Sequence, residues 1–275
     1  MSGIKRIAQI FEKARNQQRA ALILYYPAGY PDYATSLEVL KGLAQSGADL
    51  LEVGMPFSDP LADGPTIQHA TQVALSQRMN TRHCLALVRE LRQQGVETPV
   101  VLMGYLNPVM AYGMERFVRD ARQTGADGII LPDFPPEESA DFRALCDAYE
   151  LALISLVSPA TPPERARQIA ETTRGFLYLI SLTGVTGARE SLPPELEAFV
   201  ARTRAVARVP LAVGFGISTP QQARRVSQIA DGVIIGSALI AQTGEAANPV
   251  QAAVGFIQKM FTALGKEELP RSESL

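Results

Sequence analysis

Eight short apolar runs punctuate the chain, separated by longer stretches in which apolar residues recur three and four positions apart. The runs are 21–26 (ALILYY), about 51–55 starting near Asp49 (LLEVGM), 100–105 (VVLMGY), 128–133 (GIILPD), 151–157 (LALISLV), 176–181 (FLYLIS), 211–216 (LAVGFG) and 232–237 (GVIIGS). They are continuous rather than alternating, the pattern of parallel strands covered on both faces. Among the intervening stretches, 115–124 puts Phe117, Val118 and Ala121 on one helical face, and 138–149 does the same with Phe142, Leu145 and Cys146. Pro162-Pro163-Glu164 and Thr219-Pro220 read as helix starts, capped by the Thr or Ser residues that precede the prolines.

Eight strand–helix units predict a (β/α)8 barrel built as one domain over residues 1–275. The alternative is an open doubly wound sheet. The strand count favours the barrel, and so does the absence of a phosphate loop after the first strand. Three features depart from an even repeat. The chain between strands 2 and 3 has room for two helices, about 66–77 and 82–94, and an extra amphipathic helix at 3–16 is suited to plugging the barrel floor. A long polar stretch, 182–193, follows strand 6, and residues 266–275 read as a frayed tail.

Composition narrows the function. With 47% apolar and 20% charged residues the chain is of the globular type, and a net charge of −2 supplies no basic field for nucleic acid or anionic lipid. No apolar run is long enough to span a bilayer, and the N-terminus has charges where a secretory signal would have an apolar core. Cys84 and Cys146 both fall in predicted helices and read as reduced core residues of a cytoplasmic protein. His69 and His83 lie outside the strands and their ends, so a His-based metal site or a Ser-His-Asp triad has little to draw on. Lysine occurs only at 5, 13, 41, 259 and 266, which leaves no Schiff-base lysine unless Lys41 points inward. No Gly-x-Gly-x-x-Gly follows the first strand, so the dinucleotide fingerprint is missing as well.

In a barrel of this kind the chemistry sits at the C-terminal ends of the strands. Glu52 interrupts the apolar run Leu50-Leu51-Glu52-Val53-Gly54, where a carboxylate is costly without a partner. Such placement reads either as a functional group or as a buried Glu held by hydrogen bonds or by an arginine. Residues 56–65 follow, a loop stiffened by three prolines and carrying Asp59 and Asp63. Gly184 and Gly187 flank Thr186 in a segment that reads as a lid or a plain connection. Gly214-Phe215-Gly216 and Gly236-Ser237 end strands 7 and 8, where glycines and helix N-termini suit a phosphate group.

The run LLEVGMPFSDPLADGPTIQHA, with GVTGA, VGFGIS and IIGSALI downstream and AGYPD, YLNPV and PDFPPEES between, resembles the tryptophan synthase α subunit family. The resemblance covers almost the whole chain, from about residue 5 to about residue 262, and the PFSDPLADGPTIQ segment is highly specific. It implies retro-aldol cleavage of indole-3-glycerol phosphate to indole and glyceraldehyde 3-phosphate, with no cofactor in this chain. It also implies a pyridoxal-phosphate β subunit, in an α2β2 heterotetramer, that receives the indole. By motif position Glu52 and Asp63 match the catalytic carboxylates. Tyr25, Tyr178, Thr186, Gly187, Phe215, Gly216, Gly236 and Ser237 match substrate-contacting positions.

The residues fit that chemistry on their own terms. Protonation of an indole ring at C3 makes the substrate its own electron sink, so two carboxylates suffice. Glu52, in an apolar strand, is expected to have a raised pKa and to carry the proton transfers. Asp63, read as a loop residue beside solvent, is expected to stay ionised and to stabilise the ring N–H. Tyr25 and Phe215 would pack the ring. Two alternatives share the barrel: a standalone lyase that releases free indole, and a catalytically silent phosphate-binding scaffold. The second is disfavoured by the presence of both carboxylates.

Overall fold

The computed structural model describes residues 1–180, 195–214 and 216–264. The polar stretch 182–193 and the tail 266–275 lie outside the described residues. The strands are β1 (Ala21–Pro27), β2 (Leu50–Gly54), β3 (Val100–Met103), β4 (Gly128–Ile130), β5 (Ala152–Ile154), β6 (Leu156–Val157), β7 (Leu177–Ile180), β8 (Leu211–Gly214) and β9 (Gly232–Ile235). The helices are α1 (Gly3–Asn16), α2 (Tyr33–Gln45), α3 (Pro65–Ser76), α4 (Thr81–Gln93), α5 (Leu106–Tyr112), α6 (Met114–Thr124), α7 (Ala140–Ala148), α8 (Pro163–Thr172), α9 (Leu196–Arg204), α10 (Pro220–Ser227), α11 (Ser237–Gly244) and α12 (Pro249–Ala263).

The paired strands are parallel, in the order β5-β4-β3-β2-β1-β9-β8-β7-β6. The two ends of that order are consecutive in the chain, separated only by Ser155. The barrel is therefore closed by its own backbone. The run 151–157, expected as one strand, is two: β5 pairs with β4, β6 pairs with β7, and the Ser155 carbonyl already accepts the Tyr178 N–H at 3.0 Å. The eight predicted strand positions hold, with the fifth changing neighbours midway. Apart from Leu156 and Ile180, every strand residue is buried, as continuous apolar runs require.

The N-terminal face is locked shut. Asp49, Asp127 and Asp231 stand just before β2, β4 and β9, and their carboxylates accept the backbone N–H of Leu22, Val100 and Leu211 at 2.7, 2.9 and 2.7 Å. Each also pairs with an arginine: Arg19, Arg92 and Arg204 respectively. Arg6 of α1 adds a second guanidinium to Asp127 at 3.2 Å. Ile7, Phe11 and Ala14 form the buried face of α1, and Phe11 packs on Phe176 with ring centroids 5.5 Å apart. The predicted plug is thus observed, and the opposite face is left for chemistry.

Two local expectations divide. Thr219 caps α10 in a reciprocal capping box with Gln222. Thr161 does not cap α8, whose N-cap is Pro162 with no side-chain bond; its hydroxyl instead accepts the Ser158 N–H at 3.1 Å. Cys84 and Cys146 are buried and unpaired, as read from their helical settings. Among the described residues no helix is long and apolar enough to cross a membrane.

Candidate active site

The register places Glu52 directly beside Tyr25 and Val101 in the neighbouring strands. Residues paired across parallel strands share a face, so Glu52 and Tyr25 point the same way. Tyr25 leans over Gly54, where a Cβ would strike its hydroxyl. Tyr178 leans in the same manner over Gly214. These glycines lower the wall under each ring, so two phenols fit inside the barrel mouth. Both phenols are pushed well above the usual range, chiefly by burial, with the negative charges of Glu52 and Asp63 adding to it. One cluster thus gathers four of the sequence-predicted residues.

Glu52 is fully buried, and neither of its carboxylate oxygens has a hydrogen-bond partner among the described residues. Burial alone lifts its pKa to about 8. A protein interior rarely tolerates an acid left so unmatched, because each orphaned group costs on the order of 1–3 kcal/mol. The buried ion pair that could have explained Glu52 is absent among the described residues: it appears in none of their salt bridges. A group poised near neutral pH and lacking a partner is what a general acid needs before its substrate arrives.

Asp63 corrects an expectation. It is not beside solvent but 6% exposed, and burial raises its pKa to about 6 while the Tyr105 hydroxyl draws it back down. The reason is the loop's fold. Pro60 and Gly64 are buried, the Asp63 N–H donates to the Pro60 carbonyl at 3.0 Å, and Gln68 holds the Asp63 carbonyl at 2.8 Å. The outer half of the loop (Ser58, Asp59 and Leu61) is exposed. Pro65 at the first position of α3 ends the loop.

Gly236 follows β9 directly and is the N-cap of α11, without a side-chain cap bond. The N–H groups of that first turn have no intrahelical acceptor, and Ser237 opens the helix. One step beyond the pair Leu24↔Ile235, Gly236 lies beside Tyr25, and a Cβ there would sit 3.1 Å from the ring. Gly216, just past β8, has φ +83°, a conformation that side chains rarely adopt. Thr186, Gly187 and Phe215 lie outside the described residues.

Two features of the site were not read from the sequence. Tyr105, two residues past β3, is 5% exposed, accepts the Ala62 N–H on its hydroxyl at 3.1 Å and reaches Asp63. The YLNPV motif held that signal. A cavity of about 300 Å³ opens beside Ala62, lined by apolar residues such as Phe134 and Ile154 and by polar ones such as Asp133, Ser158 and Arg165. Elsewhere, Lys41 lies on α2 and pairs with Glu38 at 3.6 Å, outside the mouth, and His69 and His83 are exposed on α3 and α4.

Comparison with known proteins gives the family and the fold. The family model described as tryptophan synthase alpha chain matches residues 11–265. The tryptophan synthase alpha chain of Chloroflexus aurantiacus is 45% identical over 266 residues, covering 96% of this chain and 100% of the relative. That of Roseiflexus sp. strain RS-1 is 48% identical, covering 86% and 91%. Among solved structures, the alpha subunit from Legionella pneumophila strain Paris superposes with a TM-score of 0.89 at 40% identity, covering 96% of this chain and 99% of that one. Mycobacterium tuberculosis tryptophan synthase gives 0.87 at 40% identity, covering 94% and 98%. In sequence along nearly its whole length, and in the barrel it forms, the chain belongs to the tryptophan synthase alpha chain family.

Proposed function

We propose that this chain cleaves indole-3-glycerol phosphate to indole and glyceraldehyde 3-phosphate as the α subunit of a tryptophan synthase. The observation that carries the reading is Glu52: an unpartnered acid sealed into a strand end, with Asp63 and two phenols around it. Protonated at neutral pH, Glu52 gives its proton to C3 of the ring, which becomes an indoleninium ion. Its carboxylate then takes the proton of the hydroxyl on the adjoining glycerol carbon. The C–C bond breaks, its electrons return to the ring, the hydroxyl carbon becomes the aldehyde, and Glu52 is again an acid. Ionised Asp63 pairs with the ring N–H and stabilises its positive charge. Tyr25, Tyr178 and Phe215 hold the ring. Backbone N–H groups of Gly216, Gly236 and Ser237 hold the phosphate, and Thr186 and Gly187 are read as further substrate contacts.

No step in this scheme needs a metal or an imine. Cleavage is expected to survive EDTA, and borohydride added during turnover is expected to trap no substrate on the protein. Inactivation by either reagent would overturn the mechanism.

The β subunit is the partner, and its pyridoxal phosphate would consume the indole within an α2β2 assembly in the cytoplasm. Leu61, 85% exposed in the loop after β2, and Met110, 58% exposed on α5 after β3, are large apolar side chains at the mouth, where a partner would cover them. Adding β subunit is expected to raise kcat for cleavage, with Thr186 as the hydrogen-bond partner that Asp63 gains in the complex. Thr186→Ala should blunt that rise. A standalone lyase would instead show no activation by a β subunit known to bind.

A further inference from the structure

We infer that Tyr105 is a positioning residue for Asp63, holding the catalytic loop and its carboxylate through one hydroxyl braced from behind by Asp133. The inference rests on the function proposed above. The Tyr105 hydroxyl accepts the Ala62 N–H at 3.1 Å and donates toward the Asp63 carboxylate. It therefore grips two successive residues of the loop at once. The phenol is itself fixed. Its ring packs against Phe57, 5.5 Å away at the start of the same loop. Its backbone is the N-cap of α5, and the next N–H, that of Leu106, donates to both Asp133 carboxylate oxygens at 2.9 and 3.1 Å. The line runs from the end of β4, through the start of α5, to the loop after β2.

The polarity of the arrangement matters. A hydroxyl that accepts from a backbone N–H has its own proton free to give, and Asp63 receives it. That bond favours the ionised carboxylate over the neutral acid, against the burial that pushes the other way. Among the described residues, the other ionisable groups that act on this pair are Tyr25, Glu52, Tyr178 and Asp133. None is a cation, so Tyr105 is the group among them able to hold Asp63 charged as pH falls.

Removal of the hydroxyl tests this. In the full chain with its β subunit, Tyr105→Phe is expected to lower kcat by about tenfold, the scale of a hydrogen bond to a charged group. It should also shift the acid limb of kcat/KM to higher pH, because Asp63 then protonates more readily. KM should change less than kcat, since the substitution leaves the backbone N–H groups proposed for the phosphate in place. A loss of rate with the acid limb unmoved would mean that Tyr105 only supports the fold, and unchanged kinetics would mean that it does nothing; either overturns the inference. Carbon NMR of the Asp63 carboxyl in the unliganded chain gives a second readout: its titration must move upward in Tyr105→Phe. Asp63→Asn separates the two levels. If it cleaves like wild type, the role proposed for Asp63 fails; if it is impaired while Tyr105→Phe keeps the wild-type profile, only the Tyr105 inference fails.

Discussion

Glu52→Gln is expected to lower kcat for indole release by at least about 10²-fold, the usual scale of general acid–base catalysis, while phosphate-ligand binding survives. The amide keeps the size of the acid and its place in β2, but it cannot deliver a proton to C3 or take one from the hydroxyl. Stability provides the control. The Glu52 pKa is raised from 4.5 to about 8 in the folded chain. Between those values the folded state holds a proton that the unfolded state has lost, so wild-type stability falls as pH rises, by about 1.4 kcal/mol per pH unit at most. Glu52→Gln lacks that slope. It should be the more stable protein at pH 8 and the less active one, a combination that misfolding cannot produce. Near-normal turnover in Glu52→Gln would remove Glu52 from the mechanism.

Gly236→Asp is expected to raise KM for indole-3-glycerol phosphate by roughly 10- to 100-fold, the scale of lost hydrogen bonds to a charged group. Two effects add. A carboxylate at the N-cap of α11 competes for the same first-turn N–H groups and repels the phosphate. The new Cβ also meets the Tyr25 ring at 3.1 Å and must displace it. Gly236→Ala isolates the second effect, because alanine adds the Cβ without the charge. A KM near wild type in Gly236→Asp would put the phosphate elsewhere.

Much of this was legible in the sequence because parallel strands sealed on both faces leave continuous apolar runs, and Glu52 stands out in one of them by its charge. The break at Ser155 was not legible. A change of neighbours within LALISLV alters pairing without altering burial, and only burial leaves a mark on composition. The short helix α5 was hidden for a related reason: its first turn contains Pro108, which is tolerated there but reads as a breaker. The burial of Asp63 was misread because the polar, proline-rich loop that carries it resembles a solvated turn. Its inward fold depends on Tyr105 and Gln68, partners that local pattern cannot pair with it. Tyr105 in turn looked like the end of an apolar strand, and its importance lies in a hydroxyl whose partners come from another strand's loop.

The central claim is that the chain protonates C3 of the indole ring and so releases the three-carbon fragment. It is tested most directly by turnover of indole-3-glycerol phosphate in D2O, with the released indole read by NMR and glyceraldehyde 3-phosphate assayed alongside. The account predicts equimolar products, with deuterium at C3 of the indole, because the proton on Glu52 exchanges with solvent. No indole, or indole carrying only protium at C3, would contradict it.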